Sequence, residues 1–137
     1  MPIAQMPAFD PDDVSLLLQA LEGLQEAAQQ MYRATSDPIT RNSAGQSLEL
    51  VRSAASKLKK QSTEFTLDEV KTMYLALSEW KESLNDMLDT TPASDELRPV
   101  FQQSLRASNG LIRRLKGFLH ALEIDVDDLL AMGRSAL

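Results

Sequence analysis

The residues with the richest chemistry in this chain lie in one run, Arg113-Arg114-Leu115-Lys116-Gly117-Phe118-Leu119-His120, which ends in the single histidine of 137 residues. Histidine is the side chain whose ordinary pKa lies nearest neutrality, so a basic site built around it suits proton transfer or anion binding. Arg106, Arg113, Lys116 and His120 recur at steps of seven, three and four, which puts them along one helix face. The same cations also complement the negative end of a helix macrodipole. Carboxylates are the other reactive type, and they occur as neighbours at Asp12/Asp13, Asp68/Glu69 and Asp127/Asp128. Each pair falls just behind a helix-start signal, where acids stabilise the first turn, so these pairs read as caps rather than as acid–base catalysts. Cysteine is absent, which excludes disulfides, thiol catalysis and cysteine-held zinc. A dimetal bundle needs Glu-x-x-His on facing helices, whereas His120 has Gly117 and Glu123 at that spacing. No cofactor and no metal site is therefore expected.

Two resemblances attach to the basic run. Leu115-Lys116-Gly117 resembles the Leu-Lys-Gly of histidine phosphotransfer domains, which are four-helix bundles. The phospho-accepting His of that pattern stands two residues before the Leu, where this chain has Arg113, so the resemblance implies an inactive relative. The spacing from Arg114 to His120 resembles the Arg-x(4–6)-His ribonuclease motif of HEPN domains, which are all-helical, with Asp125 and Asp127 following. It implies RNA cleavage or RNA binding by Arg114 and His120. The chain departs from that pattern at Leu115, where a polar residue is usual, and at Leu122, where an aromatic often follows the His.

The elements that carry these residues are announced by caps. Asp10-Pro11-Asp12-Asp13, flanked by Phe9 and Val14, is a capped start with a hydrophobic staple. Asp37-Pro38 repeats the capping acid and first-turn proline. Phe65-Thr66-Leu67-Asp68-Glu69-Val70 holds a capping box, Thr66 with Glu69, inside a second staple. Ser94-Asp95-Glu96 and Ile124-Asp125-Val126-Asp127-Asp128-Leu129 complete the set. Helices are predicted over about 11–34, 38–61, 67–89, 95–122 and 126–135. No segment alternates with the period of a strand, so none is predicted.

Apolar seams run along these helices at alternating steps of three and four. The first is Val14, Leu17, Leu21, Leu24, Ala28, Met31; the third is Val70, Met73, Leu77, Trp80, Leu84, Met87. The second offers Ala44, Leu48, Val51, Ala55 and Leu58. The fourth offers Phe101, Leu105, Ser108, Ile112, Leu115, Leu119 and Leu122, with a second row at Val100, Leu111 and Phe118 that predicts the most buried helix. Trp80 and the seam methionines are read as core. Gly23, Gly45, Gly110 and Gly117 fall inside helices, where close helix approach is the expected reason.

The chain also repeats itself. An offset of 56 carries the first seam onto the third, Phe9 onto Phe65 and Asp13 onto Glu69. An offset of 57 carries Gln46-Ser47-Leu48 onto Gln103-Ser104-Leu105 and Leu58-Lys59 onto Leu115-Lys116. The expected fold is all-α: an antiparallel four-helix bundle built from two similar helical hairpins, plus a short C-terminal helix. In one domain, residues 1–8 form an N-terminal arm, 9–61 the first hairpin, 65–122 the second, and 125–136 the short helix. Net charge alternates along the same plan: -4 over 10–33, +3 over 37–60, -5 over 64–89, +3 over 95–120 and -3 over 123–134. Opposite signs on successive helices favour their antiparallel pairing.

The expected function is a non-enzymatic protein–protein interaction module, an adaptor, regulator or assembly subunit working through helix faces. Arg106, Arg113, Arg114, Lys116 and His120 form one candidate surface; Leu129, Leu130 and Met132 form another, on a helix too short to stand alone. A protein partner and a homo-oligomer are expected. A net charge of -6 and a pI of about 4.7 disfavour whole-chain binding to nucleic acid or anionic lipid. No run approaches the ~18 apolar residues of a membrane span, and no secretory leader is legible, so the expected location is cytoplasmic.

Overall fold

A computed structural model describes residues 3–5 and 9–121. Four long helices account for most of them: α1 (Pro11–Ala34), α2 (Pro38–Lys59), α3 (Leu67–Thr90) and α4 (Arg98–Ala121). The helix predicted over 126–135 lies outside the described residues, and with it Leu129, Leu130 and Met132.

The caps act as their residue types dictate. Asp13 N–H donates to Asp10 Oδ1 at 2.8 Å and the Asp13 carboxylate accepts the Asp10 N–H at 3.4 Å, a reciprocal capping box. Thr66 and Glu69 form the same box at the start of α3. The Thr40 hydroxyl and N–H donate to the Asp37 carboxyl at the start of α2, at 2.6 and 3.2 Å, and hold it below the usual carboxylate range.

Two helix boundaries depart from expectation for local reasons. α4 begins at Arg98 rather than near Asp95. A proline has no N–H to donate, so Pro99 is tolerated only in a first turn, and a helix begun at Asp95 would put it too deep. Residues 92–97 form turns instead, with Asp95 accepting the Leu97 N–H at 2.8 Å. The Arg98 guanidinium reaches back to the carbonyls of Leu88 and Thr91, at 2.9 and 2.8 Å, and ties the end of α3 to the start of α4. α2 stops at Lys59, closed by a Schellman motif. Gln61 is left-handed (φ 58) and donates to Leu58 O at 3.1 Å, while Ser62 donates to Lys57 O at 3.0 Å.

That turn leads into a feature the expectation of no strands missed. Two strands, β1 (Ile3–Gln5) and β2 (Glu64–Thr66), pair antiparallel with Ile3 opposite Thr66, Ala4 opposite Phe65 and Gln5 opposite Glu64. At three residues each, neither is long enough to show an alternating pattern. The pairing arises because the fold brings the N-terminal arm beside the α2–α3 connection.

α1 packs on α2, and α3 on α4, as two hairpins; α1 and α3 then pack on each other, α2 lies against α3, and α4 touches α1 only lightly. α3 is thus the central helix and the most buried, which corrects the expectation for α4. Val100, in the second row of α4, is 54% exposed. The core gathers the N-terminal halves of α1 and α3 and the C-terminal halves of α2 and α4: Leu17, Leu21, Val51, Leu58, Phe65, Met73, Leu77, Leu111, Leu115 and Leu119. It fills the end of the bundle that carries the two strands.

The offset that aligns the two halves of the sequence also aligns their burial. Leu17, Ala20, Leu21 and Ala28 are buried, and so are Met73, Ala76, Leu77 and Leu84, their equivalents at +56. Val51, Ala54 and Leu58 are buried, and so are Ser108, Leu111 and Leu115, their equivalents at +57. The glycines behave otherwise than expected. A Cβ added to Gly23, Gly45, Gly110 or Gly117 would meet nothing within 4 Å, so close helix approach does not account for them.

Candidate interaction surfaces

The acid at the third position of each capping box does more than cap. Glu69 is buried, its side chain only 2% exposed. Lys57 Nζ donates to its Oε1 at 2.5 Å, Ser53 Oγ to its Oε2 at 2.5 Å and Thr66 N–H to Oε1 at 2.7 Å. Burial pushes the Glu69 carboxyl up, but the hydrogen bonds from Lys57, Ser53 and Thr66 outweigh it and hold the group below its usual range. These bonds clamp α3 to α2. The sequence showed Glu69 as a cap; its burial and its bonds to Ser53 and Lys57 had no signal beyond a register of Ser53 and Lys57 one turn apart.

Asp13 makes the equivalent contact. Arg114 Nη1 donates to Asp13 Oδ2 at 2.9 Å across α4 and α1. Each cation also stands over an aromatic ring: Lys57 Nζ is 5.9 Å from the Phe65 centroid and Arg114 Cζ is 5.4 Å from that of Phe9. The two rings meet edge to face, with centroids 6.3 Å apart.

The basic run therefore divides. Arg114 turns toward α1 and is engaged by Asp13 and Phe9. Arg106, Arg113, Lys116 and His120 stay exposed, with no hydrogen bond or ion pair to another described residue. α4 carries five Arg and Lys and no acid. Arg114 is thus held by Asp13 and Phe9, while His120 is exposed.

A second surface lies at the end of the bundle away from the strands. Tyr32 (40% exposed), Ile39 (78%), Leu97 (55%) and Val100 are the large apolar residues left open to solvent among the described residues. They come from the end of α1, the start of α2 and the α3–α4 approach, all at one end. Arg41 lies over the Tyr32 ring at 4.6 Å. Of these only Val100 lay in a predicted apolar row; Tyr32, Ile39 and Leu97 fall outside the predicted seams.

Between α1 and α3 runs a groove of about 360 Å³, lined by Ala20, Gly23, Leu24 and Ala27 and by their equivalents Ala76, Glu79, Trp80 and Ser83. Trp80 packs on the core yet is only half-buried, and its Nε1 is shielded from solvent without a hydrogen-bond partner. Among the described residues no three His, Cys, Asp or Glu come together as a metal site, and no helix is long and apolar enough to cross a membrane. No family model, no curated protein and no solved structure matches this chain.

Proposed function

We propose that this chain is a non-enzymatic protein-interaction module that docks a partner at the end of the bundle opposite the strands. One observation carries the reading: Tyr32, Ile39, Leu97 and Val100 are all exposed at that end, while the other large apolar side chains among the described residues are buried or half-buried. Leaving large apolar side chains in water forgoes roughly 1.5–3 kcal/mol each, which a docked partner would recover. The basic stripe of α4, Arg106, Arg113, Lys116 and His120, supplies a polar flank suited to acidic groups.

The test compares complexes recovered with the native chain and with Ile39→Asp/Val100→Asp. Loss of the same bound protein from the variant, with thermal stability unchanged, is the expected result. Identical complexes from both chains overturn the reading. RNA cleavage that disappears in His120→Ala would replace it with the HEPN-like alternative, which has against it the engagement of Arg114 by Asp13.

A further inference from the structure

The open end of the bundle is polarised. Both connections there, 35–37 and 91–97, consist of described residues. The exposed apolar side chains divide evenly, Tyr32 and Ile39 on the first hairpin, Leu97 and Val100 on the second. The charges do not. Residues 33–41 hold two cations, Arg33 and Arg41, and one acid, Asp37, which is engaged by Thr40. Residues 86–98 hold four acids, Asp86, Asp89, Asp95 and Glu96, and one cation, Arg98, which is engaged by the carbonyls of Leu88 and Thr91. The four acids are exposed, as are Arg33 and Arg41, and none of the six forms an ion pair with another described residue. One half of the end is therefore cationic and the other anionic, each with its own apolar pair.

A surface of that kind is complementary to itself. In a two-fold contact the same patch meets its copy, so each half lies against the opposite half of the other molecule. A partner of uniform charge would instead be attracted by one half and repelled by the other. The internal repeat supplies a matching shape, because both halves are the ends of similar hairpins.

We propose that a second copy of this chain occupies the open end, in an end-to-end dimer with two-fold symmetry. The inference rests on the open-end reading and names its partner. Arg33 and Arg41 of each copy face the acids of 86–96 in the other, and Ile39 faces Leu97 and Val100. The end of one bundle is a small area, so the contact belongs to the weak class that dissociates on dilution. Stability measured on the dilute chain is then that of the separate bundle, because an interface stabilises a fold only while it is occupied.

The mass of the full chain in solution, followed by light scattering over a dilution series, tests it. The native chain should approach twice 15.2 kDa as its concentration rises. Arg33→Glu/Arg41→Glu makes both halves acidic, and Asp86→Arg/Asp89→Arg/Glu96→Arg makes both basic. Each variant alone should stay at 15.2 kDa. Mixed in equal amounts, the two should form a dimer containing one of each, since every anionic half then meets a cationic one. The substituted side chains are exposed and cap no helix, so melting of the dilute variants should match the native chain and show the bundles intact. A native mass of 15.2 kDa at every concentration overturns the second copy as partner, while the open-end reading still stands or falls on the complexes recovered with Ile39→Asp/Val100→Asp. A dimer that survives Ile39→Asp/Val100→Asp lies elsewhere on the molecule and overturns the proposal. Mixed variants that stay apart overturn the two-fold pairing of the halves.

Discussion

Lys57 and Glu69 join α2 to α3 through a 2.5 Å ion pair, and the internal repeat remakes that pair across the other hairpin boundary as Arg114 and Asp13. Glu69 is Asp13 shifted by 56 and Arg114 is Lys57 shifted by 57. Each hairpin therefore gives its acid to the other's cation, a reciprocal exchange that two similar units make when they pack face to face. The rings beneath the cations, Phe65 and Phe9, exchange in the same sense and touch each other. The pairs differ in surroundings: Glu69 is buried and receives a further bond from Ser53, whose equivalent at +57 is Gly110.

That difference predicts unequal costs for matched substitutions. Lys57→Met leaves the buried Glu69 carboxylate without a counter-charge and should cost about 2 kcal/mol, less than a fully buried pair because Lys57 is partly in water. Arg114→Met breaks an exposed pair and should cost under about 1 kcal/mol. Urea unfolding of the two variants measures both, and equal losses would refute the assigned asymmetry.

The Glu69 carboxyl, held below its ordinary value of 4.5, predicts a pH dependence. A carboxyl with a depressed folded-state pKa binds protons more readily when unfolded. Its stabilisation is complete above the ordinary value and fades as pH falls through the lower folded value. The native chain should lose more stability than Glu69→Gln between pH 6 and pH 3 (about those limits). Parallel stability curves would show that Glu69 carries none of the acid sensitivity.

Two glycine exchanges should stabilise in opposite senses. Gly23→Ala places its methyl in open space within α1, removes helix-interior glycine and should gain about 1 kcal/mol. Gln61→Gly relieves a left-handed non-glycine residue after α2 and should gain about 1 kcal/mol. Melting temperatures would rise by a few degrees, roughly 3 °C for each kcal/mol in a chain of this size. A fall in either variant refutes its argument.

The open end predicts tolerance. Ile39→Ser and Val100→Ser should each change stability by no more than about 0.5 kcal/mol, because both side chains already face solvent. Leu17→Ala, at a fully buried site, should cost about 2–5 kcal/mol. A large loss at Ile39 or Val100 would mean that these residues are covered within the chain.

The caps and seams were legible in the sequence because both depend on neighbours a few residues apart. Asp10 with Asp13, Thr66 with Glu69 and the buried leucines of α1 and α3 sit where spacing puts them. So does the division into two similar hairpins. The basic stripe of α4 was legible for the same reason, since Arg106, Arg113, Lys116 and His120 share a face by periodicity alone. Tertiary structure decided what depends on distant partners. It gave Arg114 to Asp13 and left Arg113, Lys116 and His120 without a partner among the described residues. It paired Ile3–Gln5 with Glu64–Thr66, strands too short to leave a pattern. It buried α3 instead of α4 and exposed Val100, which the pattern had placed in an apolar row, because an apolar residue is core only where another helix covers it. Periodicity defines a helix's apolar side, but which stretch of that side is sheltered is set by how far its neighbours extend along it.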